Sequence, residues 1–218
     1  MENAADMAGR PKPRLLAVSK TQPADAIAGL ADLGQRAFGE NYVQEAAAKQ
    51  AELALRPQGQ LLEWHLIGHL QSNKAKEAAT RFDWVQAVDR ERLALALNAH
   101  RPAEQAPLNV LIQVNIDDEA SKHGCRPEDV AHLADLVAAQ PRLRLRGVMV
   151  IPAPQPDVEA RRPAFRRARQ LFEAMAARHP HVDTLSMGMS DDLEVAIAEG
   201  ATMVRVGTAL FGARPPKA

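Results

Sequence analysis

The sequence predicts a single-domain α/β protein, a (β/α)8 TIM barrel. Three observations carry this expectation. Eight strand-then-helix units follow one another along the 218 residues. The connections between them are short, with no linker and no second zone of composition. Polar residues and glycines collect just where the apolar runs end. Alternation of strand and helix patterns means a parallel sheet. Eight units in about 200 residues sit at the compact end of barrel sizes. An open doubly wound sheet rarely needs eight strands.

Residues 1–13 are polar, hold small residues and two prolines, and read as a loose lead-in without the apolar core of a signal peptide. Residues 14–218 form the expected barrel domain. Leu15-Leu16-Ala17-Val18-Ser19 is a buried-strand pattern that runs straight into Lys20-Thr21-Gln22-Pro23. Residues 24–33 have helical spacing, stopped by Gly34. Residues 37–41 are the second strand and 43–55 an Ala- and Gln-rich helix. Residues 64–68 are the third strand, 72–81 a helix and 84–88 the fourth strand. Asp89 reads as the N-cap of a helix running to residue 99. Residues 109–115 form the clearest strand, and 127–140 a helix that opens with Pro, Glu and Asp. Residues 145–150 are the sixth strand and 159–178 the longest helix. The seventh strand covers 184–187, with a helix over 191–199, and the eighth covers 202–206.

Composition removes several function classes. The formal net charge is zero, which argues against a broad electrostatic footprint for nucleic acid or an anionic membrane. A 46% apolar content is that of an ordinary globular protein. No apolar run approaches the 18 or so residues of a membrane span. The single cysteine, Cys125, makes no internal disulfide, which fits a reducing, cytoplasmic setting.

In a barrel the strand C-terminal ends share one face, and function collects there. Those ends carry Lys20, Glu40-Asn41, His65 with Gly68-His69, Asp89, Asn115, Met149, Met187-Gly188 and Arg205-Gly207. A lysine at a strand exit either marks the end of the strand or offers an amine to a carbonyl ligand. His65 and His69 are four apart, but a strand end and a loop intervene, so no metal-ligand pattern emerges. Ser190, in Gly188-Met189-Ser190-Asp191-Asp192, is a natural N-cap or a ligand hydroxyl. Gly207 and Thr208 follow the eighth strand, and many barrels bind phosphate between the loops after strands seven and eight. Alternation points Arg205 inward, beside the ligand. An amine across the mouth from a phosphate cup, with an arginine between, suits an aldehyde that bears a phosphate. Pyridoxal 5′-phosphate is that molecule.

Five stretches then resemble one family: Ala17-Val18-Ser19-Lys20-Thr21, Phe38-Gly39-Glu40-Asn41-Tyr42-Val43-Gln44-Glu45, His65-Leu66-Ile67-Gly68-His69-Leu70-Gln71, Gly188-Met189-Ser190-Asp191-Asp192 and Val204-Arg205-Val206-Gly207-Thr208-Ala209-Leu210-Phe211-Gly212. They resemble the YggS/PROSC family of pyridoxal phosphate homeostasis proteins, over residues 15–214. The resemblance implies a barrel like the N-terminal domain of alanine racemase. It implies that Lys20 holds pyridoxal phosphate as a Schiff base. It implies that Ser190, Gly207 and Thr208 form the phosphate cup, that Arg205 faces the pyridine nitrogen and that Asn41 lies beside the cofactor. Family members carry a longer N-terminal helical segment. Here only residues 1–14 precede the first strand, and Pro11 and Pro13 discourage a helix.

Alanine racemase-like proteins take a second base from an added β-domain of a partner subunit. This chain stops at Ala218 and has one tyrosine, Tyr42. An arginine at the ring nitrogen stays protonated and weakens the ring as an electron sink. The family is described as lacking a demonstrated enzymatic activity. The expectation is therefore a monomeric, cytoplasmic carrier that buffers pyridoxal phosphate or hands it to pyridoxal phosphate-dependent apo-enzymes, with no nucleic-acid, membrane or metal partner. A weak monomeric amino-acid racemase is the alternative. A barrel in which Lys20 only pairs with an anion is a third reading. Lys122, after strand five, reads as a solvated loop lysine or a transient second acceptor. The cluster Arg161, Arg162, Arg166, Arg167 and Arg169 reads as a solvated face, and Cys125 as a packed small residue.

Overall fold

The computed structural model describes residues 1–119 and 122–212. Eight parallel strands close into a barrel in sequence order: β1 (Arg14–Val18), β2 (Ala37–Glu40), β3 (Glu63–Leu66), β4 (Trp84–Val88), β5 (Leu108–Val114), β6 (Leu143–Val150), β7 (Thr184–Ser186) and β8 (Met203–Val206). β1 pairs with β8 through Leu15 opposite Val204 and Ala17 opposite Val206, which closes the ring. The helices are α1 (Glu2–Met7), α2 (Ala24–Asp32), α3 (Val43–Leu53), α4 (Ala75–Arg81), α5 (Glu91–His100), α6 (Val130–Ala138), α7 (Arg162–Ala176), α8 (Leu193–Ala198) and α9 (Thr208–Phe211). The predicted barrel is therefore the observed one. Residues 213–218, assigned to the barrel domain from the sequence, lie outside the described residues.

Most strands are buried on both faces, as a parallel sheet sheathed by helices requires. The main core lies between barrel and helices, with Phe38, Phe82, Leu93, Leu97 and Phe165 fully buried. Alternate residues turn inward and fill the barrel itself. Leu16, Ala37 and Met203 pack as one interior group, and Trp84, Leu111 and Met149 as another. His65 stacks on Trp84 with ring centroids 5.0 Å apart. The barrel interior is a packed core.

Three local expectations are corrected. Residues 1–13 are not a loose lead-in, because α1 forms there and packs against α8, burying Ala5. Pro11 and Pro13 fall after this helix. It ends at Gly9, whose φ of +60° lets the chain reverse before the first proline. Asp89 does not cap α5. Arg90 is the N-cap and pairs with the Asp89 carboxylate. Ser190 does not cap α8, whose N-cap is Asp192. Asp192 instead accepts the Met189 N–H at 2.6 Å and pairs with Arg161 at 2.6 Å. The other clustered arginines also meet carboxylates: Arg162 and Arg166 meet Glu199, Arg167 meets Asp117, and Arg169 meets Glu173. No helix among the described residues is long and apolar enough to cross a membrane.

Candidate functional site

A cavity of about 630 Å³ opens above the strand C-terminal ends. That volume suits a small-molecule ligand. A second crevice, between α6 and α7, is only about 100 Å³ and is lined mostly by apolar residues. Lys20, Asn41, Ser190, Arg205, Gly207 and Thr208 all line the larger cavity. The six residues singled out from the sequence therefore come together. Gly68, His69, Gln113 and His123 border the same space.

Lys20 leaves the end of β1 on a backbone fixed from both sides. Ser19 N–H donates to the Gly39 carbonyl at 2.9 Å, and its hydroxyl donates to Glu40 Oε1 at 2.6 Å. Lys49 Nζ, from α3, donates to the Ser19 carbonyl at 2.8 Å, to Glu40 at 2.8 Å and to Glu45 at 2.7 Å. Glu45 also accepts the Thr21 N–H at 2.5 Å, with Thr21 held at a φ of +65°. The residues before and after Lys20 are thus tied to one cluster of charges centred on the buried Lys49 and Glu40. Burial raises the pKa of Glu40, and the hydrogen bonds from Lys49 and Ser19 act against that rise. Glu40 was read as a mouth residue, but its side chain belongs to this cluster. Glu45 and Lys49 were not singled out. Their only signal was position, one helical turn apart on α3.

Arg205 is buried on β8, the strand that pairs with β1. Nη1 donates to Ser186 Oγ at 2.8 Å and Nη2 to the Val150 carbonyl at 2.8 Å. The Ser186 hydroxyl donates to Gln86 Oε1 at 2.8 Å, and Gln86 Nε2 reaches His65 Nδ1 at 2.9 Å. His65 Nε2 meets Glu63 at 2.5 Å, and Glu63 pairs with Arg14 at 2.8 Å. Every donor finds an acceptor if His65 carries its proton on Nε2. This hydrogen-bonded line runs through the barrel from mouth to floor. Burial lowers the His65 pKa and so keeps the ring neutral. Burial also pushes Arg205 down to about 10, partly offset by Asp192. His65 was read as a strand-end residue, but it sits below the mouth. Gln86 and Ser186 were missed, although a polar residue at an inward position of an apolar strand was the available signal.

The third wall is backbone. A Cβ on Gly207 would lie 3.3 Å from the Val18 carbonyl oxygen, so the glycine lets β8 approach β1 closely. Gly188 has a φ of +90°, and a Cβ there would stand 2.5 Å from Ala196. It turns the chain so that Ser190 reaches the cavity. Amine, guanidinium, hydroxyl pair and close backbone together fit an aldehyde that carries a phosphate. Of the other strand-end residues, Met149 packs inside the barrel. Asn115 folds its own loop, donating to the Glu119 carbonyl at 2.8 Å. Lys122 pairs with Glu119 at 3.3 Å and does not line the cavity. Cys125 is buried, which pushes its thiol up to about 12 and removes it as a nucleophile.

Residues 1–215 match the family profile described as alanine racemase, N-terminal domain. The chain is 56% identical over 201 residues to the pyridoxal phosphate homeostasis protein of Escherichia coli, covering 92% of this chain and 85% of that protein. It is 54% identical over 216 residues to the protein of the same name from Pseudomonas aeruginosa, covering 98% and 91%. Among solved structures it resembles PipY of Synechococcus elongatus with pyridoxal phosphate bound, at a TM-score of 0.82 and 38% identity. That match covers 97% of this chain and 99% of PipY.

Proposed function

The chain belongs to the pyridoxal phosphate homeostasis proteins of the alanine racemase N-terminal-domain family, and from that premise we propose that Lys20, Asn41, Ser190, Arg205, Gly207 and Thr208 hold pyridoxal 5′-phosphate. The protein binds this cofactor and takes part in its homeostasis. One observation carries the residue assignment: the amine, the guanidinium and the paired hydroxyls all face a single cavity. When bound, the cofactor supplies an aldehyde and an electron-withdrawing ring.

The chain's own groups divide the work. Lys20 offers the nucleophilic amine, positioned by its anchored neighbours Ser19 and Thr21. Gly207 admits the backbone closely, and Ser190 and Thr208 supply hydroxyls to the phosphate. Arg205 remains a cation at pH 7 even with its pKa pushed down to about 10. Set at the ring nitrogen, as the family resemblance implies, it would donate a hydrogen bond there and disfavour a proton on that nitrogen. That arrangement suits storage and release better than turnover. Tyr42 is exposed and lies outside the cavity lining, so it supplies no second base there. We assign the chain a carrier role without catalytic turnover, acting as a monomer, with pyridoxal phosphate-dependent apo-enzymes as recipients.

Borohydride reduction followed by peptide mass mapping tests the anchor. The pyridoxyl adduct is expected on the peptide holding Lys20 and is expected to vanish in Lys20→Ala. An adduct on Lys122 instead removes Lys20 from the role. Exchange of an amino acid's α-proton with solvent deuterium tests the carrier assignment. Exchange faster than with free cofactor makes the protein an enzyme.

A further inference from the structure

We propose that His69, Asp89 and His123 form a binding site for one divalent transition-metal ion, of the zinc class, on the rim of the barrel mouth. The three residues come from three different connections. His69 follows β3, Asp89 follows β4, and His123 follows β5. His69 Nδ1 lies 3.8 Å from Asp89 Oδ2. The His69 and His123 rings stack with centroids 3.8 Å apart and planes 14° apart. One ligand atom from each residue lies within 4.8 Å of the other two. Among the described residues this is the one group of three His, Cys, Asp or Glu side chains gathered so closely.

Two imidazoles and a carboxylate are the donor set of an open zinc site, with water in the remaining position. Tetrahedral zinc, with bonds of about 2.0–2.1 Å, places neighbouring ligand atoms about 3.3 Å apart. The three ligand atoms therefore need to close by up to about 1.5 Å, a movement that rotation of the two exposed histidines supplies. Stacking alone explains the ring contact. It does not explain the carboxylate turned toward the rings. Asp89 is held in that pose because Arg90 Nη1 engages its other oxygen, Oδ1, at 2.5 Å. Arg90 thus fixes the ligand in the manner of an outer-sphere partner while its charge weakens the attraction for a cation. Lys122, next to His123, is drawn toward Glu119. His65, the other histidine near this rim in sequence, is fully buried in the barrel and takes no part. A metal ion here ties the connection after β3 to the one after β5, across the edge of the cavity. The proposal stands independently of what the cavity binds.

Calorimetric titration of the metal-stripped protein with zinc chloride tests it, with cofactor bound and again without. One equivalent is expected to bind in both forms, with affinity in the micromolar range or tighter. His69→Ala and His123→Ala should each weaken that site by at least about tenfold, and the double variant should lose it. The protein has seven histidines, and His132 and His179 also lie near carboxylates. Stoichiometric zinc that the double variant retains therefore overturns the proposal. So does uptake seen only with cofactor bound and kept by that variant, which reports the cofactor phosphate. A wild type that takes up no zinc overturns it as well. If the variants do not fold, imidazole nitrogen NMR of the wild-type chain decides. Zinc must move the His69 and His123 resonances first, and earlier shifts on His132 or His179 defeat the assignment.

Discussion

Lys20 and Arg205 come from the neighbouring strands β1 and β8 and face one cavity, yet the groups around each are held by opposite means, toward β2 and α3 on the lysine side and toward β6 and β7 on the arginine side. On the lysine side a cation and a carboxylate are buried together beside a half-buried second carboxylate, and Lys49 bridges Glu40, Glu45 and the Ser19 carbonyl. On the arginine side the buried cation is held by neutral acceptors, Ser186 Oγ and the Val150 carbonyl. No carboxylate among the described residues forms an ion pair with Arg205. The first arrangement spends its charge internally and fixes backbone geometry. The second leaves a guanidinium whose charge is uncompensated by contact and available to a ligand.

The contrast breaks most sharply at Lys49. Removing one partner of a buried ion pair leaves the other unpaired, at a cost of about 3–5 kcal/mol. Lys49→Met is expected to lose that much in urea unfolding, and Glu40→Gln/Lys49→Met is expected to recover part of the loss. If the single variant is as stable as wild type, charge compensation is not what holds the lysine side. Ser186→Ala is expected to cost less, about 1–3 kcal/mol, because it removes one neutral acceptor from a buried donor. A loss as large as that of Lys49→Met would erase the difference between the two sides.

The smallest effect lies in the pH dependence, where the two sides have opposite signs. His65 has its folded pKa lowered below 6.5 by burial. Below pH 6.5 the unfolded chain binds that proton more readily than the folded chain, so stability falls as pH drops. Glu40 has its folded pKa raised above 4.5, chiefly by burial. The folded chain binds this proton more readily, so the Glu40 contribution grows as pH falls toward 4.5 and offsets part of the His65 loss. Glu40→Gln removes the offset. Its stability should therefore fall more steeply than wild type as pH drops toward 4.5, read from urea midpoints at each pH. Parallel pH profiles would mean that Glu40 does not titrate in this window.

Much of the fold was legible because strand parity and helical spacing are local. β4 was placed at its observed residues, and β2, β3 and β7 within a residue or two at each end. The mouth residues Lys20, Asn41, Ser190, Arg205, Gly207 and Thr208 were legible for the same reason, since a residue that ends a barrel strand must open on that face. The helix α1 was misread because the prolines were weighed without their position. They follow the helix and do not interrupt it. Asp89 and Ser190 were read as caps because each precedes a helix, but Arg90 and Asp192 occupy those positions.

By itself, the sequence determined the number and order of the strands, the enclosing helices and the two cations that exit onto one face. These follow from periodicity within single segments and from the rule that parallel strands share their exits. Only the tertiary structure decided which polar groups answer one another. Ser186 meets Gln86 across 100 residues of sequence, and Lys49 meets Ser19 across 30. His69, Asp89 and His123 gather from three separate connections. Such pairings depend on barrel closure and on the register between strands, which set which inward side chains share a layer. No single segment carries that information, because each supplies only one half of the contact.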